Sequence, residues 1–258
     1  MNFRKIWVVL GIFLVSSIAL SCSSNGTDET PPKTKNILSL IFIDKSVSLD
    51  FDNSYVQTKY KDAVNTILQE GILKAGDQLE GYYIHENTLK GRCLTLLCST
   101  EMEDVTNMNA TDKEMSELDY QLQIGKERNQ FTKKILRVFG TKNNQESNKF
   151  TDITSSLQII NSQNTGEKVI SVYFFSDMIE STSNGRDFHV KPPSSVDEAT
   201  KWAEEDIEKM QDINLNGVAI KSILPFDPLS STKINNPNVS AYWKVVFESL
   251  GASSFEEI

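Results

Sequence analysis

Residues 36–50, NILSLIFIDKSVSLD, decide how the rest of the chain is organised. An almost unbroken apolar run over residues 37–43 predicts a β-strand that is buried on both faces. The run ends at Asp44, and Ser46 and Ser48 follow it. In an open parallel sheet, ligands bind beyond the carboxyl ends of the strands. We therefore expect these three oxygen-bearing side chains at the binding edge of a sheet, where they suit a hard divalent cation.

Two later stretches offer the same kind of ligand. Thr151 precedes a helical pattern over residues 153–160, and Asp177 follows a second apolar strand pattern, VISVYFF, over residues 169–175. The oxygen-bearing residues occur in the order Asp44, Ser46, Ser48, Thr151 and Asp177. This set resembles the metal-ion-dependent adhesion site of von Willebrand factor type A domains, and the resemblance extends over residues 37–251.

The resemblance implies a bound Mg²⁺, or Mn²⁺ or Ca²⁺ in its place. Ser46 and Ser48 would bind the ion directly, whereas Thr151 and the two aspartates would bind it directly or through water. Asp152 would order the site without touching the ion. An Asp or Glu carboxylate of a partner protein would complete the coordination. Thr151 is also a good N-cap for the helix after it, and the two roles are compatible.

The remaining pattern predicts an α/β fold: a doubly wound, mainly parallel central sheet with helices on both faces. Residues 92–98 are expected to form a short antiparallel edge strand, and Gly125 is expected to split a long helix. The chain is expected to close with a helix ended by Gly251. The predicted strands are residues 37–43, 77–85, 92–98, 169–175 and 215–224. The predicted helices are residues 54–70, 112–139, 153–160, 196–210 and 239–250.

The N-terminus is typical of an exported bacterial protein. Two basic residues precede an apolar segment, residues 6–20, and small residues lead directly to Cys22. This pattern predicts a lipoprotein signal peptide over residues 1–21, with Cys22 as the lipidated first residue of the mature chain. Residues 22–35 would be a flexible tether and residues 36–258 the folded domain. We expect lipid anchoring in the cell envelope, at the outer membrane, with the side left open. The alternative is an ordinary secretory signal.

Charge and cysteine content restrict the partners. The formal net charge is −9, and it becomes −11 once Arg4 and Lys5 are removed with the signal peptide. So acidic a chain is not expected to bind nucleic acid. In an oxidising compartment Cys93 and Cys98 are expected to form a disulfide, with two free thiols as the alternative.

The expected function is therefore a membrane-anchored, cation-dependent adhesion or assembly module, not an enzyme. One alternative is a structural lipoprotein with a vestigial site, because Val47 stands where the family usually has a small residue. The other is a metal-dependent hydrolase or phosphatase. A phosphatase of the haloacid-dehalogenase type would need a second Asp where Ser46 stands, and a serine hydrolase would need a His partner from His85 or His189.

Overall fold

A computed structural model of the chain describes residues 34–45, 53–141, 150–183, 185–227 and 236–258. The chain divides into two units, Met1–Thr34 and Lys35–Ile258, and every element named here belongs to the second. The lipidation site Cys22, the predicted signal peptide and the serines Ser46 and Ser48 lie outside the described residues.

The described residues contain one sheet of six strands. Its members are β1 (Asn36–Asp44), β2 (Gln78–Ile84), β3 (Arg92–Leu97), β4 (Lys168–Phe175), β5 (Ala219–Ile223) and β6 (Ser254–Glu257). Their order across the sheet is β3-β2-β1-β4-β5-β6. All neighbours are parallel except β3, which runs antiparallel to β2 at one edge. The predicted antiparallel edge strand is thus confirmed.

Five α-helices among the described residues cover the two faces of this sheet. They are α1 (Ser54–Gly71), α2 (Ala110–Gly140), α3 (Thr154–Gln163), α4 (Val196–Ile207) and α5 (Pro237–Ser249). Helices α1 and α2 pack on one face, and α3, α4 and α5 pack on the other. The doubly wound α/β fold predicted from the sequence is therefore confirmed.

Both faces of the central strands are buried, which explains their continuous apolar sequences. On β1, Leu40 and Phe42 belong to the core beneath α3 and α5, whereas Ile41 and Ile43 belong to the core beneath α1 and α2. Stacking of Phe42 on Phe174 of β4, with ring centroids 5.0 Å apart, joins the two central strands. These two strands carry the predicted site at their carboxyl ends.

The structure corrects two predicted elements. Helix α2 runs without a break through Gly125, because Ile124 and Phe131 are buried on either side of the glycine and hold one helix against the sheet. The chain ends not in a helix but in β6, which pairs in parallel with β5. Gly251, with φ of 98°, turns the chain from α5 toward that strand.

The expected disulfide is a further correction. Cys93 and Cys98 are free thiols. They lie five residues apart along the extended backbone of β3, a separation of roughly 16 Å at about 3.3 Å per residue. A disulfide needs Cα atoms within about 7 Å of each other. The Cys98 thiol instead donates to the Glu127 carboxylate of α2, at 3.4 Å.

No helix within the described ranges is both long and apolar enough to cross a membrane.

Candidate functional site

Parallel pairing of β1 and β4 brings two predicted ligands to the same edge of the sheet. Ile43 pairs with Phe175, so Asp44 comes level with Ser176, and Asp177 is the next residue. The Ser176 hydroxyl donates a hydrogen bond to Asp44 Oδ2 at 2.8 Å. Asp44 is fully buried. A buried carboxylate needs compensating donors or a cation, and this serine supplies one donor.

The turn after β4 fixes the backbone around Asp177. The Asp177 carboxylate, which is partly exposed, accepts a hydrogen bond from the Ile179 N–H at 3.1 Å. Met178 between them has a left-handed conformation, with φ of 61°. The Trp243 indole of α5 donates to the Met178 carbonyl at 2.8 Å. Packing from α5 therefore holds the turn in a conformation that is costly for a residue other than glycine.

Thr151 is tied to the same edge from the other side. Its N–H and carbonyl exchange hydrogen bonds with the carbonyl and N–H of Ser181, both at 2.9 Å. The following residue is held at the end of β2, where the Thr88 hydroxyl donates to the Asp152 carbonyl at 2.7 Å. Thr151 is 2% exposed. Thr151 therefore lies in a segment that is hydrogen-bonded to the residues following β4, four residues after Asp177.

Thr151 is not the N-cap of α3, contrary to the sequence-based prediction. Helix α3 begins at Thr154, three residues further on. The Asp152 carboxylate caps it, because it accepts hydrogen bonds from the Ser155 N–H at 2.9 Å and the Ser155 hydroxyl at 2.5 Å. Asp152 therefore stabilises the start of α3, directly after Thr151 in the chain.

Glu180 is a second support of this loop that the sequence analysis did not identify. It is 2% exposed, and its Oε2 accepts hydrogen bonds from the Ile153 N–H at 2.7 Å and the Thr154 N–H at 3.2 Å. Burial and the nearby Asp152 raise the pKa of Glu180 to about 8, against the opposing effect of these hydrogen bonds. Nothing in the local sequence marks Glu180, because its partners lie 27 and 26 residues away.

Lys45 follows Asp44 directly but faces the opposite side of the sheet. Its Nζ donates to the carbonyls of Phe139 at 2.6 Å and Val138 at 3.1 Å, in the last turn of α2. Burial lowers the pKa of Lys45 to about 8, although Cys93 and Asp44 act in the other direction. A cation at a helix C-terminus is favourable. The Lys45 ammonium is therefore held at the end of α2.

The electrostatic environment and the donor atoms fit a cation. Tyr60 is a buried phenol on α1, and burial is the main reason that its pKa is raised. The negative charges of Asp44 and Asp177 also raise this pKa. A cation at this edge of the sheet would offset the repulsion between the two carboxylates. Among the described residues, no three His, Cys, Asp or Glu side chains form a metal cluster. The predicted set is of another kind, with two carboxylates and three hydroxyls, all of them oxygen donors.

The histidines have structural positions. His85 is buried at the end of β2, and its Nδ1 accepts a hydrogen bond from the Asn87 N–H at 2.9 Å. His189 lies exposed in the loop before α4. Neither arrangement resembles a nucleophile with its base.

Comparisons with known proteins give distant structural similarity alone. No protein-family model and no curated protein match the sequence. Similar solved structures include the manganese-loaded TRAP protein of Plasmodium vivax (13% identity, TM-score 0.34, covering 73% of this chain and 57% of that one). A von Willebrand factor type A protein from Catenulispora acidiphila has 11% identity and a TM-score of 0.35, covering 87% and 39%. The pilus adhesin SpaC of Lactobacillus rhamnosus GG, in its open conformation, has 11% identity and a TM-score of 0.40, covering 88% and 28%. This chain therefore spans less than two thirds of each of these proteins, and at such TM-scores the similarity carries no functional argument.

Proposed function

We propose that this chain is a divalent-cation-dependent protein-binding module of the von Willebrand factor type A kind, lipid-anchored in the bacterial envelope. One observation supports the proposal: Asp44 and Asp177 follow the carboxyl ends of two adjacent parallel strands, and Thr151 is hydrogen-bonded to Ser181, four residues after Asp177. With Ser46 and Ser48, which follow Asp44 by two and four residues in the sequence, they would hold Mg²⁺, or Mn²⁺ or Ca²⁺. All five residues offer the oxygen atoms that these ions prefer.

Bound by three neutral hydroxyls and two carboxylates, the cation would keep affinity for one further carboxylate. We propose that an Asp or Glu of a partner protein supplies it. The chain's own residues prepare the edge for this role. Ser176 orients Asp44, while Asp152 and Glu180 hold the loop of Thr151. Lys45 carries the nearest positive charge along the chain, and its Nζ is bound at the end of α2.

The proposed module is not an enzyme. The positions of His85 and His189 give no support to a serine hydrolase, since one accepts a backbone hydrogen bond and the other is exposed. Haloacid-dehalogenase chemistry would need an acid where the sequence has Ser46. A site that has lost its metal is the remaining alternative, and Val47 is the residue that favours it.

The membrane anchor is proposed from the sequence alone. Processing after Ser21 would leave Cys22 to carry lipid, and residues 22–35 would link it to the domain. Metabolic labelling with an alkyne fatty acid tests this directly. The wild-type chain is expected to incorporate label and fractionate with the outer membrane, whereas Cys22→Ser is expected to lose the label. An unlabelled wild-type chain would reject the anchor.

Thermal denaturation tests the metal site. A ligand that binds only the folded chain at 100 times its Kd stabilises it by about 2.7 kcal/mol. We expect millimolar Mg²⁺ or Mn²⁺ to raise the Tm of the full-length chain above its value in EDTA. Asp44→Ala and Asp177→Ala should abolish that rise. Asp62→Ala, at an exposed position on α1, should retain it. A wild-type Tm that is the same in metal and in EDTA would favour the vestigial site.

A further inference from the structure

Strand β3 forms one edge of the sheet, and its inner side is bonded to β2. The Cys98 N–H donates to the Asp77 carbonyl at 2.8 Å, and the Cys98 carbonyl accepts from the Gly76 N–H at 3.0 Å. Because successive residues of a strand direct their backbone groups to opposite sides, those of Thr95 and Leu97 point outward, away from β2. No described residue forms a hydrogen bond with these outward groups. Two N–H groups and two carbonyls are therefore open to an added strand.

Directly after β3 the chain turns away from this edge. The N–H groups of Ser99 and Thr100 donate to the Glu127 carboxylate of α2 at 3.0 and 3.1 Å, so the chain leaves the sheet on the side of that helix. Natural proteins often protect an edge strand with charged residues or proline. Residues 93–97 of β3, CLTLL, contain neither, and the register shift in the pairing with β2 is confined to the start of the strand. The sequence of β3 thus leaves its outer edge able to pair.

A groove of about 640 Å³ lies between α3 and the start of β3, and the charged residues that line it are Lys90 and Arg92. Both basic side chains are exposed. The nearby Glu80 carboxylate is buried and already bound, because it accepts hydrogen bonds from the Tyr82 hydroxyl at 2.5 Å and the Gln78 amide at 2.7 Å. Arg92 Nη1 lies 3.8 Å from the same carboxylate. In a chain with a net charge of −9, this groove is therefore a positive site that suits a carboxylate.

The basic groove and the exposed side chains of β3 share one side of the sheet. Arg92 is opposite Tyr82 in the pairing with β2, and Thr95 is opposite Glu80. Residues directly opposite each other in an antiparallel pair point to the same side, and Tyr82 belongs to the core beneath α3. Thr95 is exposed on this side, and Leu97 is 59% exposed. Every second side chain of a strand added beside β3 would therefore lie next to Arg92, Thr95 or Leu97.

We propose that the outer edge of β3 binds an extended acidic segment of a partner protein, which adds to the sheet as a further strand. The open backbone groups of Thr95 and Leu97 require an extended partner, and Lys90 with Arg92 requires an Asp or Glu in it. A second copy of β3 does not meet this requirement, because residues 89–98, LKGRCLTLLC, contain two basic residues and no acidic residue. The site lies two strands away from β1, so it is separate from the proposed metal site.

Selection from a random peptide phage library tests the chemistry of the partner, with EDTA present so that the result does not depend on the proposed metal site. On the full-length wild-type chain we expect the selected peptides to be enriched in Asp and Glu. Arg92→Glu should remove this enrichment. Lys61→Glu makes the same change of charge at an exposed position on α1 and should retain it. Wild-type peptides without acidic enrichment, or enrichment that persists in Arg92→Glu, would overturn the proposal.

Amide hydrogen exchange, measured by NMR on the wild-type chain, tests where the most enriched peptide binds. At saturating peptide, the N–H groups of Thr95 and Leu97 should exchange at least tenfold more slowly, because they gain hydrogen bonds. The N–H groups of Leu94 and Leu96 already face β2, so their exchange should change less. Unchanged exchange at Thr95 and Leu97 would reject strand addition at this edge.

Thr95→Pro tests the backbone contact by mutation. Proline removes an outward donor and leaves the ladder with β2 in place, since edge strands accept proline where the N–H faces outward. Fluorescence anisotropy should show peptide binding at least tenfold weaker than in wild type, and circular dichroism checks that the variant folds. Wild-type affinity in a folded Thr95→Pro chain would contradict the proposal. Sedimentation equilibrium showing a wild-type dimer that Thr95→Pro abolishes would assign the edge to a second copy and overturn it.

Discussion

The Ser176 hydroxyl donates to Asp44 Oδ2 at 2.8 Å, across the junction of the two central strands. This bond joins the residue that ends β1 to the residue that follows β4, so it couples the two halves of the proposed ligand set. Both side chains are fully buried. The geometry at this junction makes several features of the chain testable.

Ser176→Ala removes the donor to Asp44 and also the acceptor of the Met178 N–H, at 3.0 Å. Loss of a hydrogen bond to a charged group costs about 1.5–3 kcal/mol, and we expect the free energy of unfolding in EDTA to fall by at least that amount. The Tm rise caused by Mg²⁺ should shrink as well, because Asp44 loses its orientation. Urea denaturation with and without metal measures both effects.

Ser222→Ala is the matched control for that change. Ser222 is also fully buried, and within the described part of the chain its hydroxyl has no hydrogen-bond partner. Its removal should leave stability unchanged or slightly higher. If Ser176→Ala and Ser222→Ala lowered the free energy of unfolding equally, the loss could not be assigned to the bond between Ser176 and Asp44.

Asp152→Ala should loosen the start of α3. It removes the cap on the Ser155 N–H, a loss that typically costs about 0.5–2 kcal/mol. Because the same loop carries Thr151, Mg²⁺ affinity measured by calorimetry should also decrease. Asp152→Asn keeps an acceptor for the cap and should recover most of the stability. An alanine variant with wild-type stability would show that Asp152 does not cap the helix in solution.

Glu180 should make stability fall as pH rises. Its pKa is about 8 in the folded chain and 4.5 as the ordinary value, so the folded chain binds the extra proton between these limits. The contribution is complete below about pH 4.5 and is lost as pH rises through about 8. Urea denaturation in EDTA across this range should show a flatter profile for Glu180→Gln than for wild type.

Glu167→Gln is the control, because Glu167 is exposed in the turn before β4. Its pH profile should coincide with that of wild type. A Glu180→Gln profile that also coincided with wild type would mean that the buried carboxyl does not titrate in this range.

Lys45→Met tests whether Lys45, the residue next to Asp44 in the sequence, also acts on the proposed metal site. The side chain is bound at the C-terminus of α2, so its loss should destabilise the fold while changing Mg²⁺ affinity less than twofold. The pKa of Lys45 falls from 10.5 to about 8 on folding, so stability should rise between these pH values in wild type but not in the variant. A large gain in Mg²⁺ affinity in Lys45→Met would show that the lysine acts on the metal site after all.

Sequence reasoning identified the elements whose signal is local. The apolar runs of β1 and β4 are continuous because both faces are covered, and that pattern can be read without a structure. Strand β6, sequence SFEE, is short and polar, and its place is set by pairing with β5, which the sequence does not reveal. The disulfide prediction, in contrast, conflicted with the sequence-based strand over residues 92–98, because an extended strand holds Cys93 and Cys98 too far apart to be bridged.

In the candidate site, too, residues with a local sequence signal were predicted, and residues recognised only by distant contacts were not. Chain order indicated Asp44, Thr151 and Asp177, but the capping role was assigned to Thr151 instead of the adjacent Asp152, since both residue types are good caps. Glu180 could not be found, because a buried carboxylate is recognised only by its distant partners. The side of the sheet that Lys45 faces could have been predicted from the sequence, since successive residues of a strand face opposite sides.

Anomalous diffraction from crystals grown with Mn²⁺ tests the central claim most directly. The proposed site predicts one strong manganese peak at the carboxyl edge of the sheet, within coordination distance of the hydroxyl oxygens of Ser46 and Ser48. Asp44, Thr151 and Asp177 should reach the ion directly or through water. The peak should be absent from Asp44→Ala crystals. A map of the wild-type chain at saturating Mn²⁺ with no peak there would contradict the claim.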